Sequence, residues 1–262
     1  MNPIVSGWYE STESRSYFNS LLKRNRRRTF GILEKPNIDP SLPELKSVKY
    51  KVFLVGKAAV GKTSTVARLS GRDVPVNHEE TLGVHTTNVY WPVKLKETEE
   101  VVMYDLEMWE TGERYLHKFD YILPACVRSC DAILFFFSIT DRHSWEDLPH
   151  LITRTIPAEF DGVKLAVGTR FDCASREVSH SEMQQFVTEH GVNILPTQNV
   201  NSPRLKDSEF PDGRIGLLET GPFMETLITR ILQHRYYKDH ATSDIKLYQD
   251  KRSSNEIYDY SC

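Results

Sequence analysis

The chain has only four cysteines in 262 residues, at 126, 130, 173 and 262. Their number and scatter make no disulfide framework, and no signal-peptide pattern is present, so a reducing, cytoplasmic setting is expected. Cys126 and Cys130 can share one helix face, but two thiols do not complete a zinc site. Long apolar runs are also missing. The longest strongly apolar stretch is AILFFF, Ala132 to Phe137, whereas a bilayer span takes about 20 residues. Neither sign of charge dominates: 33 Lys and Arg stand against 36 Asp and Glu, a net charge of −3. The chain as a whole therefore has no electrostatic footprint for nucleic acid. Lipid signals are thin. Asn2 follows Met1 where N-myristoylation needs glycine, and YDYSC lacks both the C-a-a-X order and paired cysteines. Cys262 alone is a weak prenylation signal, and membrane contact is expected to be indirect or through an N-terminal basic segment. What is present is 39% hydrophobic content in a chain long enough for one sizeable core.

The most specific stretch is KVFLVGKAAVGKTSTVARLSG, beginning at Lys51. The apolar run Val52 to Val55 reads as a buried strand, the glycines as a loop, and the residues up to Gly71 as a helix. That order is what the pattern G-x-x-x-x-G-K-[ST] needs to hold phosphate. Gly56 and Gly61 let the backbone curl, so that the N–H groups of Ala59, Val60, Gly61, Lys62, Thr63 and Ser64 face anionic oxygens. Lys62 would reach the outer phosphates and Thr63 would ligate Mg²⁺, with the helix N-terminus adding favourable potential.

Two more buried strands follow, Leu134 to Thr140 and Val163 to Asp172. Strands alternating with helical stretches predict an α/β protein. The expected architecture is a doubly wound, mostly parallel six-stranded sheet with helices on both faces and ligands at the carboxyl ends of the strands. GTRFD, ending at Asp172, sits at such an end.

These segments together resemble a small GTPase of the Ras superfamily, nearest the Rab branch, over residues 48–235. GKAAVGKT resembles the family's phosphate loop. ETLGVH resembles the first switch with Thr81 as its threonine, 18 positions after Thr63. MWETGERY resembles the second switch, usually W-D-T-A-G-Q-E-R-Y, and GTRFD stands where the family has G-N-K-x-D. The resemblance implies GTP and GDP as ligands with Mg²⁺ held by Thr63, Thr81 and an acid of the second switch. It also implies a γ-phosphate contact from the switch glycine. Asp172 would accept two hydrogen bonds from the guanine edge, a donor pair that adenine lacks. Thr197 to Val200 is the best placement for the fifth guanine loop. Trp109 and Tyr115 match two of the three aromatics with which Rabs bind effectors; the third is Thr86.

Three departures stand out. Thr169 and Arg170 replace the usual Asn and Lys. Threonine is expected to be too short to tie this loop to the phosphate loop, while Arg170 can lie over the purine. In the second switch, an ungapped D-x-x-G from Asp105 would put Met108 at the glycine; the anchors Trp109 and Glu113 to Tyr115 instead align Glu110 with the aspartate and Gly112 with the glycine. Third, the glutamine that orients water is missing. Glu113, nearest its place, cannot donate when ionised, and Ala58 and Ala59 stand where Ras has two glycines. No intact catalytic residue is therefore expected, and GTP should be held well and hydrolysed weakly or not at all. The shortened second switch, the long hairpin before it and the N-terminal extension resemble the Rem- and Rab-like small GTPases of ciliogenesis and planar polarity. That likeness implies Inturned and Fuzzy proteins as partners and a place at the ciliary basal body.

Residues 1–47 are expected to lie outside this fold. Tyr17, Phe18, Leu21 and Leu22 suggest a short amphipathic helix, followed by the basic run Lys23 to Arg28. A membrane-surface contact, a nuclear signal, a partner-docking helix and a solvated tail are all open readings. Val200 to Pro222 reads as an inserted loop, Phe223 to Arg235 as a final amphipathic helix, and 236–262 as a flexible tail. Functionally, a GTP-regulated switch or subunit competes with a pseudo-GTPase scaffold whose partner binding ignores nucleotide. An unrelated phosphotransferase fits less well, because nothing resembles an arginine-bearing lid.

Overall fold

The computed structural model describes residues 2–21, 40–77, 79–201 and 213–256, leaving aside the side chains of 20–21, 120, 213 and 239–256. Helix α1 spans Ser14–Leu21; strand β1 (Lys46–Gly56) leads through the glycine-rich loop into α2 (Lys62–Leu69). A hairpin of β2 (Val84–Lys94) and β3 (Val101–Thr111) follows, then α3 (Glu113–Lys118) and α4 (Leu123–Val127). The second half alternates β4 (Ala132–Ser138), α5 (Arg142–Glu146), α6 (Leu148–Thr155), β5 (Val163–Thr169), α7 (His180–His190), β6 (Asn193–Pro196) and α8 (Gly213–Glu256).

The six strands form one sheet in the order β2-β3-β1-β4-β5-β6. All neighbours are parallel except β2 and β3. This is the doubly wound α/β architecture expected from the alternation. From β1 the chain goes out to the edge strand β2, returns through β3 beside β1, then crosses to β4 on β1's other side and continues outward to β5 and β6. The order therefore reverses at β1, the place where such sheets bind ligands. Period-two alternation splits the core into two layers. Val52 and Leu54 of β1 and Leu134 and Phe136 of β4 face α2 and α8. Phe53 and Val55, with Ile133, Phe135 and Phe137, face α4 to α7. Covered on both sides, these central strands read as continuous apolar runs.

The ends of the chain depart from expectation. The N-terminal segment is built into the first core layer rather than standing outside it. Ile4, Trp8, Tyr9, Tyr17 and Phe18 are all buried, and Phe18 meets Trp91 of β2 edge-on at 4.9 Å between ring centroids. Residues 3–5 also pair with the hairpin: the Val5 N–H donates to the Lys94 carbonyl at 3.0 Å, and the Lys96 N–H to that of Pro3 at 2.9 Å. The Gly7 N–H is taken by the Glu225 carboxylate of α8 at 2.9 Å. The amphipathic helix exists as α1, but Tyr17 and Phe18 spend its apolar face on the protein's own sheet. Leu22 and the basic run Lys23 to Arg28 lie outside the described residues. At the other end, α8 begins before Phe223 and passes through Pro222, and its backbone continues to Glu256 where a flexible tail was expected from 236. Leu227, Ile228 and Ile231 are core, as the periodicity implies.

Candidate functional site

The carboxyl ends of β1 and β3 open into a cleft of about 650 Å³. Its lining brings together residues far apart in sequence, among them Lys62, Thr63, Thr81, Glu110, Arg170 and Asp172.

In the loop between β1 and α2, five carbonyls are held by side chains. Lys62 Nζ donates to the Gly56 and Lys57 carbonyls, at 2.8 Å each. Arg170 Nη2 donates to the Ala59 carbonyl at 3.2 Å, Thr169 Oγ1 to that of Val60 at 2.7 Å, and Asn199 Nδ2 to that of Gly61 at 3.3 Å. With these carbonyls occupied, the intervening N–H groups are left for an anion in the cleft, the chemistry of an anion-binding nest. Two residues stand in the left-handed region to make this curl, Ala59 at φ 60° and Gly61 at φ 96°. At Gly61 a Cβ would also come within 3.1 Å of the Asn199 side-chain amide.

These contacts correct one expectation. Thr169 does tie the guanine-type loop to the phosphate loop, because as the last residue of β5, fully buried beneath the loop, its hydroxyl needs no further reach. They also reveal a residue that sequence reasoning missed. Asn199 reaches both the Gly61 carbonyl and the Thr65 hydroxyl, the latter at 2.9 Å. It lies within Thr197 to Val200, the stretch placed as the fifth loop; its amide chemistry was the available signal. Thr197 packs this stretch beside β5 by donating its N–H to the Gly168 carbonyl at 2.8 Å. Arg170 and Asp172 are exposed on the lip of the cleft, and Arg170 Nη1 also donates to Thr140 Oγ1 at 3.1 Å.

At the opposite end the two switch-like segments converge. Thr63 and Thr81 hydroxyls stand 3.3 Å apart. Glu110, at the end of β3, is paired with Leu54 of β1 and is 5% exposed. Asp105 is five residues earlier on the strand, about 17 Å away, and is held by Asn88 at 2.8 Å. The acid at this site is thus Glu110. Gly112 follows because nothing larger fits: a Cβ there would meet the Thr81 carbonyl at 2.2 Å. Glu113 turns back to the loop, its Oε2 accepting the Ala58 N–H at 2.8 Å.

The electrostatics are those of a site built for a cation and an anion together. Burial draws the Lys62 ammonium down to about 8, against the pull of Glu110, Glu113 and Glu80. Burial pushes the Glu110 carboxyl above the usual glutamate range, with His85 and Lys62 opposing. Glu110 Oε2 and Glu80 Oε1 are buried carboxylate oxygens with no hydrogen-bond partner among the described residues. Such atoms are costly unless a cation meets them. Two hydroxyls and a carboxylate are the all-oxygen donor set that a hard divalent cation such as Mg²⁺ takes. Thr63, Thr81 and Glu110 therefore fit that ion.

Trp109 and Tyr115 lie just outside. Trp109 is half-buried with Lys51 Nζ 4.0 Å from its ring centroid; Tyr115 is half-buried with its ring 4.8 Å from that of Phe119.

Comparison with known proteins agrees with this geometry. The family model described as Ras family matches residues 51–207. The chain belongs to the Ras family. Membership in it implies guanine-nucleotide binding. Ciliogenesis and planar polarity effector 2 of Xenopus laevis is 41% identical over 229 residues, covering 87% of this chain and 91% of that protein. The protein of that name from Homo sapiens is 40% identical over 230 residues, 87% of this chain and 88% of its own. GTP-binding protein REM 2 of Homo sapiens is 30% identical over 143 residues, 53% of this chain and 40% of that protein.

Proposed function

We propose that this Ras-family protein binds GTP and GDP with Mg²⁺ and acts as a switch or subunit of a ciliogenesis and planar polarity effector complex. Inturned and Fuzzy proteins are its partners, the ciliary basal body is its location, and targeted vesicle trafficking and exocytosis are the processes it serves. One observation carries the nucleotide reading: Lys62, Thr63, Thr81, Glu110 and Gly112 line a single cleft together with Arg170 and Asp172. Likeness to ciliogenesis and planar polarity effector 2 over 87% of the chain supports the cellular reading.

In this reading the inward N–H groups from Ala59 to Ser64 hold the phosphates and Lys62 neutralises them. Thr63, Thr81 and Glu110 hold the Mg²⁺, which offsets phosphate charge when bound. Asp172 selects guanine, and Arg170 covers the base. Trp109 and Tyr115 present the partner-binding surface. Hydrolysis is slow because no side chain holds water in line: Glu113 accepts where glutamine would also donate. Intrinsic single-turnover hydrolysis of γ-labelled GTP should run at or below about 10⁻⁴ s⁻¹; a rate a hundredfold higher without added protein would show the second switch to be misassigned. The direct test of binding is to denature the purified protein and identify the released nucleotide by ion-exchange chromatography. Guanine nucleotide is expected; adenine nucleotide alone would overturn the reading.

The Glu113 contact with Ala58 also favours a second reading, a pseudo-GTPase scaffold. Pull-downs of the Inturned and Fuzzy proteins with GTP-loaded, GDP-loaded and Thr63→Asn protein separate the two. Binding that survives Thr63→Asn supports the scaffold.

A further inference from the structure

We propose that Glu113 is an internal competitor for the third phosphate, a carboxylate latch that sets this protein's preference between nucleoside di- and triphosphates. The inference rests on the guanine-nucleotide reading above and deepens it.

The cleft has a direction. In the guanine-nucleotide reading Asp172 and Arg170 mark the base end, and the phosphate loop leads from Ala59, whose carbonyl Arg170 holds, to Thr63, whose hydroxyl stands 3.3 Å from that of Thr81. Thr81, Gly112 and Glu113 form the far end. A chain of phosphates lengthens toward that far end. There the Ala58 N–H, which would otherwise join the inward-facing donors of the loop, is already taken by Glu113 Oε2 at 2.8 Å. A carboxylate on a loop amide uses the same chemistry as a phosphate oxygen on it, namely an anionic acceptor on a backbone donor. The two anions cannot share the donor, and at such separations like charges repel strongly where water is thinned. A diphosphate stops short of this point, so Glu113 opposes the third phosphate specifically.

The latch has a mechanical consequence. Glu113 is the first residue of α3, and Gly112 before it is pressed against the Thr81 carbonyl. Its bond to Ala58 ties the start of α3, which carries Tyr115 two residues on, to the phosphate loop. Triphosphate binding is thereby coupled to the aromatic surface of α3 through one side chain. His117 Nε2, 4.0 Å from Glu113 Oε1, is an alternative partner on the same helix that can receive the displaced carboxylate.

The test is equilibrium binding of GDP and of a non-hydrolysable GTP analogue to the full chain, with Mg²⁺, for the wild type, Glu113→Gln and Glu113→Ala. Both variants remove the charge, and Gln keeps the size. The expected result is that each binds the triphosphate analogue at least tenfold tighter than the wild type, while GDP affinity changes by less than threefold. The GDP arm verifies that the variants are folded. If both ligands shift by the same factor, or neither shifts, Glu113 is only part of the loop's scaffolding and the proposal is wrong. If the wild type binds neither guanine nucleotide, the reading beneath it fails, and the proposal with it.

Discussion

The phosphate loop and the proposed base end of the cleft are built in opposite ways. The phosphate loop is one unbroken stretch, Gly56 to Thr63, between strand and helix, and it carries nearly all of its geometry in backbone conformation. The base end is assembled from the ends of β5 and β6, and its side chains serve mostly to hold the other end in place. Arg170, Thr169 and Asn199 take three consecutive loop carbonyls, those of Ala59, Val60 and Gly61. A contiguous motif keeps its spelling because its own backbone must curl. A convergent contact needs only some donor at the right point in space, so threonine plus a remote asparagine can serve where the family uses one asparagine.

Substitutions at the two ends should separate these modes. Lys62→Ala removes the buried cation of the phosphate end, and nucleotide binding should weaken by about 2–5 kcal/mol, read by calorimetry with GDP; a loss within error would mean that the backbone nest suffices. Asp172→Asn should cost guanine nucleotides about 1–3 kcal/mol and narrow the gap to ATP. Equal affinity of the wild type for ATP and GTP would remove the guanine assignment altogether. The ties between the ends should matter less and in order of burial. Thr169→Val and Asn199→Ala should each lower nucleotide-free stability by about 1 kcal/mol. Their double-mutant cycle should show coupling of about 0.5 kcal/mol or more, since both hold neighbouring carbonyls of one loop. Arg170→Ala, whose contacts are solvent-exposed, should change stability by no more than about 0.5 kcal/mol. Denaturant melts of the apo proteins rank the three, and a larger effect at Arg170 than at Thr169 would contradict the ordering.

The same division explains what was legible in the sequence. The phosphate loop could be read because it is local: Lys62 and Thr63 follow from glycine spacing and from a strand before and a helix after. The choice of Glu110 over Asp105 needed only the anchors Trp109 and Glu113 to Tyr115, and the strand register places Glu110 beside Leu54, at the mouth of the loop. Side-chain length alone makes Thr169 too short; only the fold, which ends β5 beneath the loop, brings its hydroxyl to the Val60 carbonyl. Asn199 was passed over as a binding residue because it is 138 positions from its partner Gly61, and no spacing rule connects two loops that only the sheet order brings together.

The alternation of apolar strands with helical stretches and the glycine-rich loop by themselves determined a doubly wound α/β sheet with a phosphate site at its reversal point, since both depend on neighbours along the chain. Tertiary structure alone decided that Ile4, Trp8, Tyr9, Tyr17 and Phe18 would join the core. The helix carrying Tyr17 and Phe18 is amphipathic in any setting, and only the apolar face that the β2–β3 hairpin offers around Trp91 makes burying them against this protein more favourable than presenting them to a membrane or a partner. The place of Glu113 was likewise decided in three dimensions, because a carboxylate next to a switch glycine reaches Ala58 only when β3 and β1 run side by side and deliver both ends to the same cleft.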